Sequence, residues 1–141
     1  MSQPTQNQST GNNIPISLSN GLSETMLITA VKRNDLAQVE ALIRQGADVN
    51  TPDMFGWTPL HHAARRVNES IAFFLLRSGA NIEARNAFLQ TPLIVAATRV
   101  NSFEMVQYLL ECGANIAAQD SQGNCINDYL TEEEMVCCRN R

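Results

Sequence analysis

Gly56-Trp57-Thr58-Pro59-Leu60-His61-His62-Ala63-Ala64-Arg65-Arg66, "GWTPLHHAARR", decides the fold. It sets a turn residue before a threonine-proline pair and an alanine-rich run. Thr58 can cap a helix with its hydroxyl, and Pro59 has no amide hydrogen to leave unsatisfied in the first turn. Leu60, Ala63 and Ala64 then give that short helix an apolar side.

The device returns. Thr25-Met26-Leu27, Thr58-Pro59-Leu60 and Thr91-Pro92-Leu93 recur 33 residues apart, each followed by small residues: Ala30 and Val31, Ala63 and Ala64, Ala96 and Ala97. Gly46-Ala47-Asp48-Val49-Asn50 and Gly79-Ala80-Asn81-Ile82-Glu83 keep the same offset. Gly113-Ala114-Asn115-Ile116 follows 34 later, because the third unit carries one more residue near Val100 to Ser102. A period of this size means stacked supersecondary units rather than a closed globule.

Each unit predicts a second helix: Leu36 to Arg44, Ser70 to Arg77, and Phe103 to Glu111. Apolar residues recur there at three and four, so one stripe faces the partner helix. Gly46, Gly79 and Gly113 end these helices, where a left-handed backbone costs glycine nothing. Between units, "ADVNTPDMFGW", "ANIEARNAFLQ" and "ANIAAQDSQGN" read as projecting hairpins. Small residues at Ala63 and Ala96 let neighbouring units approach, so a bulky replacement overpacks the stack.

Gly-x-Thr-Pro-Leu-His-x-Ala-Ala, followed by an outer helix ending Leu-Leu-x-x-Gly-Ala, resembles the ankyrin repeat, and the resemblance covers about Glu24 to Leu130. It implies an all-α solenoid of stacked helix pairs with projecting β-hairpins. Three full repeats are expected at about 21–53, 54–86 and 87–120, with a shortened capping repeat at 121–141, all in one domain from 21 to 141. In the last repeat Asn124-Cys125-Ile126 replaces the residues around Thr-Pro, and polar Asn127 stands where leucine belongs. Thr131-Glu132-Glu133-Glu134 has the spacing of a capping box for a last helix through Met135 and Val136 to Cys138. Residues 1–20 carry no charge and little to bury, and are read as a flexible polar tail, with a recognition or targeting segment as the other reading. The "IPISL" stretch, Ile14 to Leu18, is expected against the first helix. Polar ends at both termini favour a complete small protein over a fragment.

Composition narrows the function. The hydrophobic fraction of 44% in 141 residues suffices for one core. Net charge is −4, with ten Lys and Arg against fourteen Asp and Glu, so a nucleic-acid backbone finds little to hold. No apolar run approaches a membrane span. Cys112, Cys125, Cys137 and Cys138 lack zinc or disulfide-scaffold spacings, which points to a reducing, cytoplasmic setting, with the nucleus or delivery into a host cell left open. Cys112 and Cys125 are expected in the core.

No catalytic residues, metal ligands or cofactors are assigned. His61 and His62 point about 100° apart on a helix and lack further ligands, and the chain has no phosphate loop or nucleophile elbow. The resemblance makes Thr58, Pro59, Leu60, His61, Ala63, Gly79, Thr91, Pro92, Leu93, Ala96 and Gly113 structural, with His61 bonding across to the threonine-proline turn. It also marks Asn50 as a candidate hydroxylation position, with Glu83 and Ala117 in the equivalent places.

The remaining surface is the candidate protein-binding stripe: Met54, Phe55, Trp57, His62, Arg65, Arg66, Arg85, Phe88, Leu89, Gln90 and Arg99. Aromatic and arginine residues supply interface anchors, and the arginines suit an acidic or phosphorylated partner segment. The glycine of the hairpin is replaced by Leu89 in the third repeat, leaving Phe88-Leu89 on a tip. The expected function is a non-enzymatic adaptor or inhibitor, monomeric alone. The alternative is a regulatory or targeting domain of a larger or translocated protein.

Overall fold

The computed structural model describes residues 25–134. The expected tail, the Ile14–Leu18 contact and Cys137-Cys138 lie outside them. Helices alternate in three pairs: α1 (Met26–Lys32) with α2 (Leu36–Arg44), α3 (Pro59–Arg66) with α4 (Glu69–Arg77), and α5 (Pro92–Ala97) with α6 (Phe103–Glu111). A 3₁₀ turn, Ile126–Asp128, follows. α1, α3 and α5 form an inner layer, and α2, α4 and α6 an outer one.

The inner helices start alike. Thr25, Thr58 and Thr91 sit in extended backbone, and their hydroxyls accept from the N–H groups of Ile28, His61 and Ile94 at 3.1, 3.4 and 3.3 Å. Asp35 and Asn68 cap α2 and α4 in the same way, which is why α4 begins at Glu69, one residue before the expected Ser70. Ser102 does not cap α6. Its hydroxyl donates to the Arg99 carbonyl at 2.8 Å and is fully buried.

The outer helices stop alike. Gly46, Gly79 and Gly113 adopt φ near +100°, so that Ala47, Ala80 and Ala114 return their N–H groups to Leu42, Leu75 and Leu109 at 3.0 Å. Between inner and outer helices Asn34, Val67 and Asn101 take the left-handed place. In the third unit the extra residue moves that place from Val100 to Asn101. Val67 is β-branched at φ 54°, a conformation that costs roughly 1–3 kcal/mol and persists because flanking bonds impose it. Those bonds are Val67 N–H to Ala64 and Asn68 N–H to Ala63, both 3.1 Å.

The core runs through the stack as one cluster. Leu27, Leu60 and Leu93 alternate with Ala30, Ala63 and Ala96, and the outer helices add Val39, Leu42, Ile71, Leu75, Met105 and Leu109. Ala63 and Ala96 are almost wholly excluded from solvent, leaving no volume for a larger side chain.

Two expectations need correcting. The projecting segments form no β-ladder: among the described residues no strand occurs. Each arm closes with only a pair of main-chain bonds: Asp53 N–H to Trp57 with Gly56 N–H to Asp53, Asn86 N–H to Gln90 with Leu89 N–H to Asn86, and Asp120 N–H to Asn124 with Gly123 N–H to Asp120. Cys112 and Cys125 are not packed in the core either. Cys112 follows the last turn of α6 and is exposed, and Cys125 is half-buried before the 3₁₀ turn. In the last repeat Ile126 fills the core position while Asn127 and Asp128 stay exposed. A polar residue in the leucine place thus leaves one short turn where a helix stood. Thr131 and Glu134 do make the reciprocal capping box, at 2.9 and 3.2 Å.

Candidate functional site

Three polar side chains build the tips. Asp53 Oδ1 accepts from the N–H groups of Phe55 and Trp57, Asn86 Oδ1 from Phe88 and Gln90, and Asp120 Oδ1 from Gln122 and Asn124, all at 2.9–3.0 Å. These acceptors escaped the sequence reading, although Asp53, Asn86 and Asp120 repeat with the same 33- and 34-residue steps as the glycines. Successive tips are joined by Ala87 N–H to the Phe55 carbonyl and Ser121 N–H to the Phe88 carbonyl, both 2.9 Å.

This geometry pushes apolar side chains outward. Met54, Phe55, Phe88 and Leu89 are 73, 58, 55 and 47% exposed. Leu89 holds φ 59° in the place that Gly56 and Gly123 fill at 82°. Arg85 reaches the carbonyls of Leu89, at 3.0 Å, and Gln119, at 2.6 Å, tying the second tip to the arm after it. Gln90 is committed to its own turn, its side-chain oxygen accepting from Asn86 Nδ2 at 2.9 Å.

His61 is fully buried. The Thr58 N–H can only donate, so Nδ1 accepts from it at 3.1 Å, and the proton stands on Nε2, which donates to the Gln90 carbonyl at 2.7 Å. The ring thereby ties α3 to the next tip. Burial drives its pKa down to about 4, against the partial compensation of the Gln90 carbonyl.

His62 departs from the expected contact face. It is only 7% exposed, its Nε2 lying 3.0 Å from Asp53 Oδ2, because the arm folds back over the start of α3, and it reaches the concave face only as part of the wall of a basic hollow. Burial raises the Asp53 carboxyl, but the Trp57 and Phe55 N–H groups and the His62 ring outweigh it, and Asp53 sits below its ordinary value. Asp120 repeats the arrangement, with the Tyr129 hydroxyl donating to Oδ2 at 2.5 Å.

Trp57 is half-buried, tilted against His61 and His62 with centroids 5.8 and 5.2 Å away. The Arg65 guanidinium lies 5.9 Å from the indole centroid. Trp57, Arg65, Gln90, Val95, Thr98 and Arg99 enclose a recess of about 190 Å³. Lys32, His62, Arg65, Arg66 and Arg99 line a second hollow of about 260 Å³ on the concave face. The structure therefore gathers Trp57, Arg65, Arg66 and Arg99, and sets the four apolar tip residues beyond them. Lys32 was missed; its signal was its place 33 residues ahead of Arg65.

Asn50 is exposed yet occupied at both ends: its Nδ2 donates to the Gly79 carbonyl at 3.1 Å, and its Oδ1 accepts from the Asn81 N–H at 2.7 Å. Glu83, one repeat on, accepts from the Asn115 N–H at 2.7 Å. Among the described residues no cluster of three or more His, Cys, Asp and Glu is arranged to hold a metal, and no helix is long and apolar enough to cross a membrane.

The family model for ankyrin repeats, three copies, matches residues 9–86 and 27–120. The 2-5A-dependent ribonuclease of Mus musculus is 44% identical over 43 residues, which are 30% of this chain and 6% of that protein. Potassium channel AKT1 of Arabidopsis thaliana is 47% identical over 45 residues, 32% of this chain and 5% of that protein. The match thus spans a small fraction of either relative.

Proposed function

We propose, from the premise that the chain belongs to the ankyrin-repeat family, that it is a non-enzymatic adaptor or inhibitor gripping another protein by its tips and concave face. Ankyrin repeats are generally protein–protein interaction modules; the fold sets the mode of binding and not the partner. One observation carries the reading: Phe88 and Leu89 stand exposed on a tip where a leucine, and not a glycine, occupies the left-handed region. Strain and apolar exposure together at one place are features that a binding surface accounts for. Met54 and Phe55 extend the apolar edge, and the arginines behind it suit a partner segment bearing acid or phosphate. The cytoplasm is the proposed compartment and the monomer the proposed state.

Capture from a native extract tests this. The intact chain is compared with a Met54→Ser, Phe55→Ser, Phe88→Ser, Leu89→Gly variant, with circular dichroism verifying both folds. A partner held by the first and lost by the second supports the reading; a partner held equally by both removes the tips from it.

The two relatives favour a second reading, since the matched stretch is a small part of each. In that reading the chain is a regulatory or targeting unit whose activity lies elsewhere in a longer or translocated polypeptide. The native protein's mass by immunoblot decides, a value well above 15.6 kDa favouring it. Hydroxylation at Asn50 is a separate proposal, checked by one added oxygen on the peptide that contains it.

A further inference from the structure

Four cations meet on the concave face. Lys32 and Arg65 hold the same place in successive repeats, and Arg66 and Arg99 the place after it. With His62 they line the hollow of about 260 Å³, and among the described residues no carboxylate lines it. Arg65, Arg66 and Arg99 make no ion pair with another described residue. In a chain where acids outnumber bases, fourteen to ten, this is a local concentration and not a reflection of composition.

Helix ends explain part of it. The negative C-termini of α1 and α3 favour Lys32 and one arginine in their last turns. They do not explain why α3 carries two, nor why Arg99, beyond the end of α5 (Pro92–Ala97), joins the same hollow. Like charges so gathered repel one another, and an anion placed among them relieves the repulsion.

We propose that this hollow holds a phosphate group carried by a phosphorylated serine or threonine of the partner protein, an inference that rests on the concave-face reading above. A carboxylate brings one charge and two oxygens, which a single guanidinium fork satisfies. A phosphate monoester brings close to two charges and three acceptor oxygens, and so engages several of these cations together. The neighbouring recess extends the recognition. Arg65 and Arg99 border both hollows, so a residue next to the phosphorylated one comes to lie beside the half-buried Trp57 ring. Phosphate on a nucleic acid or an anionic membrane is disfavoured, because a protein of net charge −4 is repelled by an extended polyanion.

Inorganic phosphate tests the hollow without any partner. At about pH 7.5, where phosphate carries most of its second charge, titration is followed on the arginine Nε–H signals. Saturable shifts are expected at Arg65, Arg66 and Arg99, absent with acetate at equal ionic strength and lost in an Arg66→Gln, Arg99→Gln variant that melts like the parent. Shifts that do not saturate, or that acetate reproduces, overturn the site.

Fluorescent peptide pools with a central phosphoserine, glutamate or serine then test the source. The phosphoserine pool is expected to bind roughly tenfold tighter than the glutamate pool. Equal binding of the two, or binding confined to vesicles bearing phosphoinositide headgroups, overturns the polypeptide source. The tip variant separates this inference from the reading beneath it. It leaves the phosphate titration unchanged, so lost titration in the parent sinks the hollow alone, while capture indifferent to the tip changes sinks the tips alone.

Discussion

The tip at Asp53–Trp57 and its copy at Asn86–Gln90 are closed by the same hydrogen bonds around different residues. Each begins with a side-chain oxygen that accepts two backbone N–H groups, and each has a left-handed residue fourth in line. In the first that residue is Gly56, whose added Cβ would stand 3.0 Å from the Ala87 nitrogen of the next tip. In the second it is Leu89, whose side chain is about half exposed. The polar acceptor therefore fixes the turn, and the left-handed residue has only to be tolerated. Tolerance depends on what rests against it, and in the first tip the neighbouring backbone does.

The largest effect is expected at the bond that ties the two tips' repeats together. His61→Ala should cost about 3 kcal/mol by urea unfolding, since it opens a cavity, leaves the Thr58 N–H unpaired and strips the Gln90 carbonyl of one of its two donors, the Asn86 N–H remaining. His61 also predicts a pH signature. Its folded pKa, about 4, lies below the unfolded 6.5, so unfolding takes up a proton between them. Stability is then full above about pH 6.5 and falls as pH drops towards 4. His61→Ile, which copies Ile28 and Ile94, should flatten that slope; an unchanged slope would assign it to another group.

Exchanging the left-handed residues sharpens the contrast. Gly56→Leu should destabilise by about 2 kcal/mol, through backbone strain and the approach to Ala87. The reverse change, Leu89→Gly, should stabilise by about 1 kcal/mol while weakening partner capture. Equal losses in both variants would break the comparison. The smallest effect is expected for Asp53→Asn, under about 1 kcal/mol at neutral pH because asparagine accepts the same two bonds. Its consequence appears in acid. Asp53 titrates below its ordinary 3.8 when folded, so its contribution is present above that value and lost as pH falls beneath it. Urea midpoints at several acidic pH values should show this loss in the parent and not in the variant.

Much of the body was legible because its determinants are local. Leu36–Arg44 and Phe103–Glu111 follow from apolar period and helix stops, and the threonine caps and glycine turns follow from their own chemistry. The candidate site was legible only as composition. That Arg65 and Arg99 share two hollows depends on how three repeats stack, a distance no single repeat encodes. His62 reads as an outward residue until the arm bearing Asp53 is folded over it. The strands failed for a related reason: arms whose tips bind side-chain acceptors and the next tip have few N–H groups left for a ladder.

The bonds from tip to tip make the projecting edge behave like linked vertebrae. Each amide, at Ala87 and at Ser121, hangs on the carbonyl immediately before the left-handed residue of the tip ahead, Gly56 or Leu89. Torsion at one tip must accordingly rotate the hook that holds the next. A partner that grips Phe88 would thus be felt at Ser121, in a repeat it never touches.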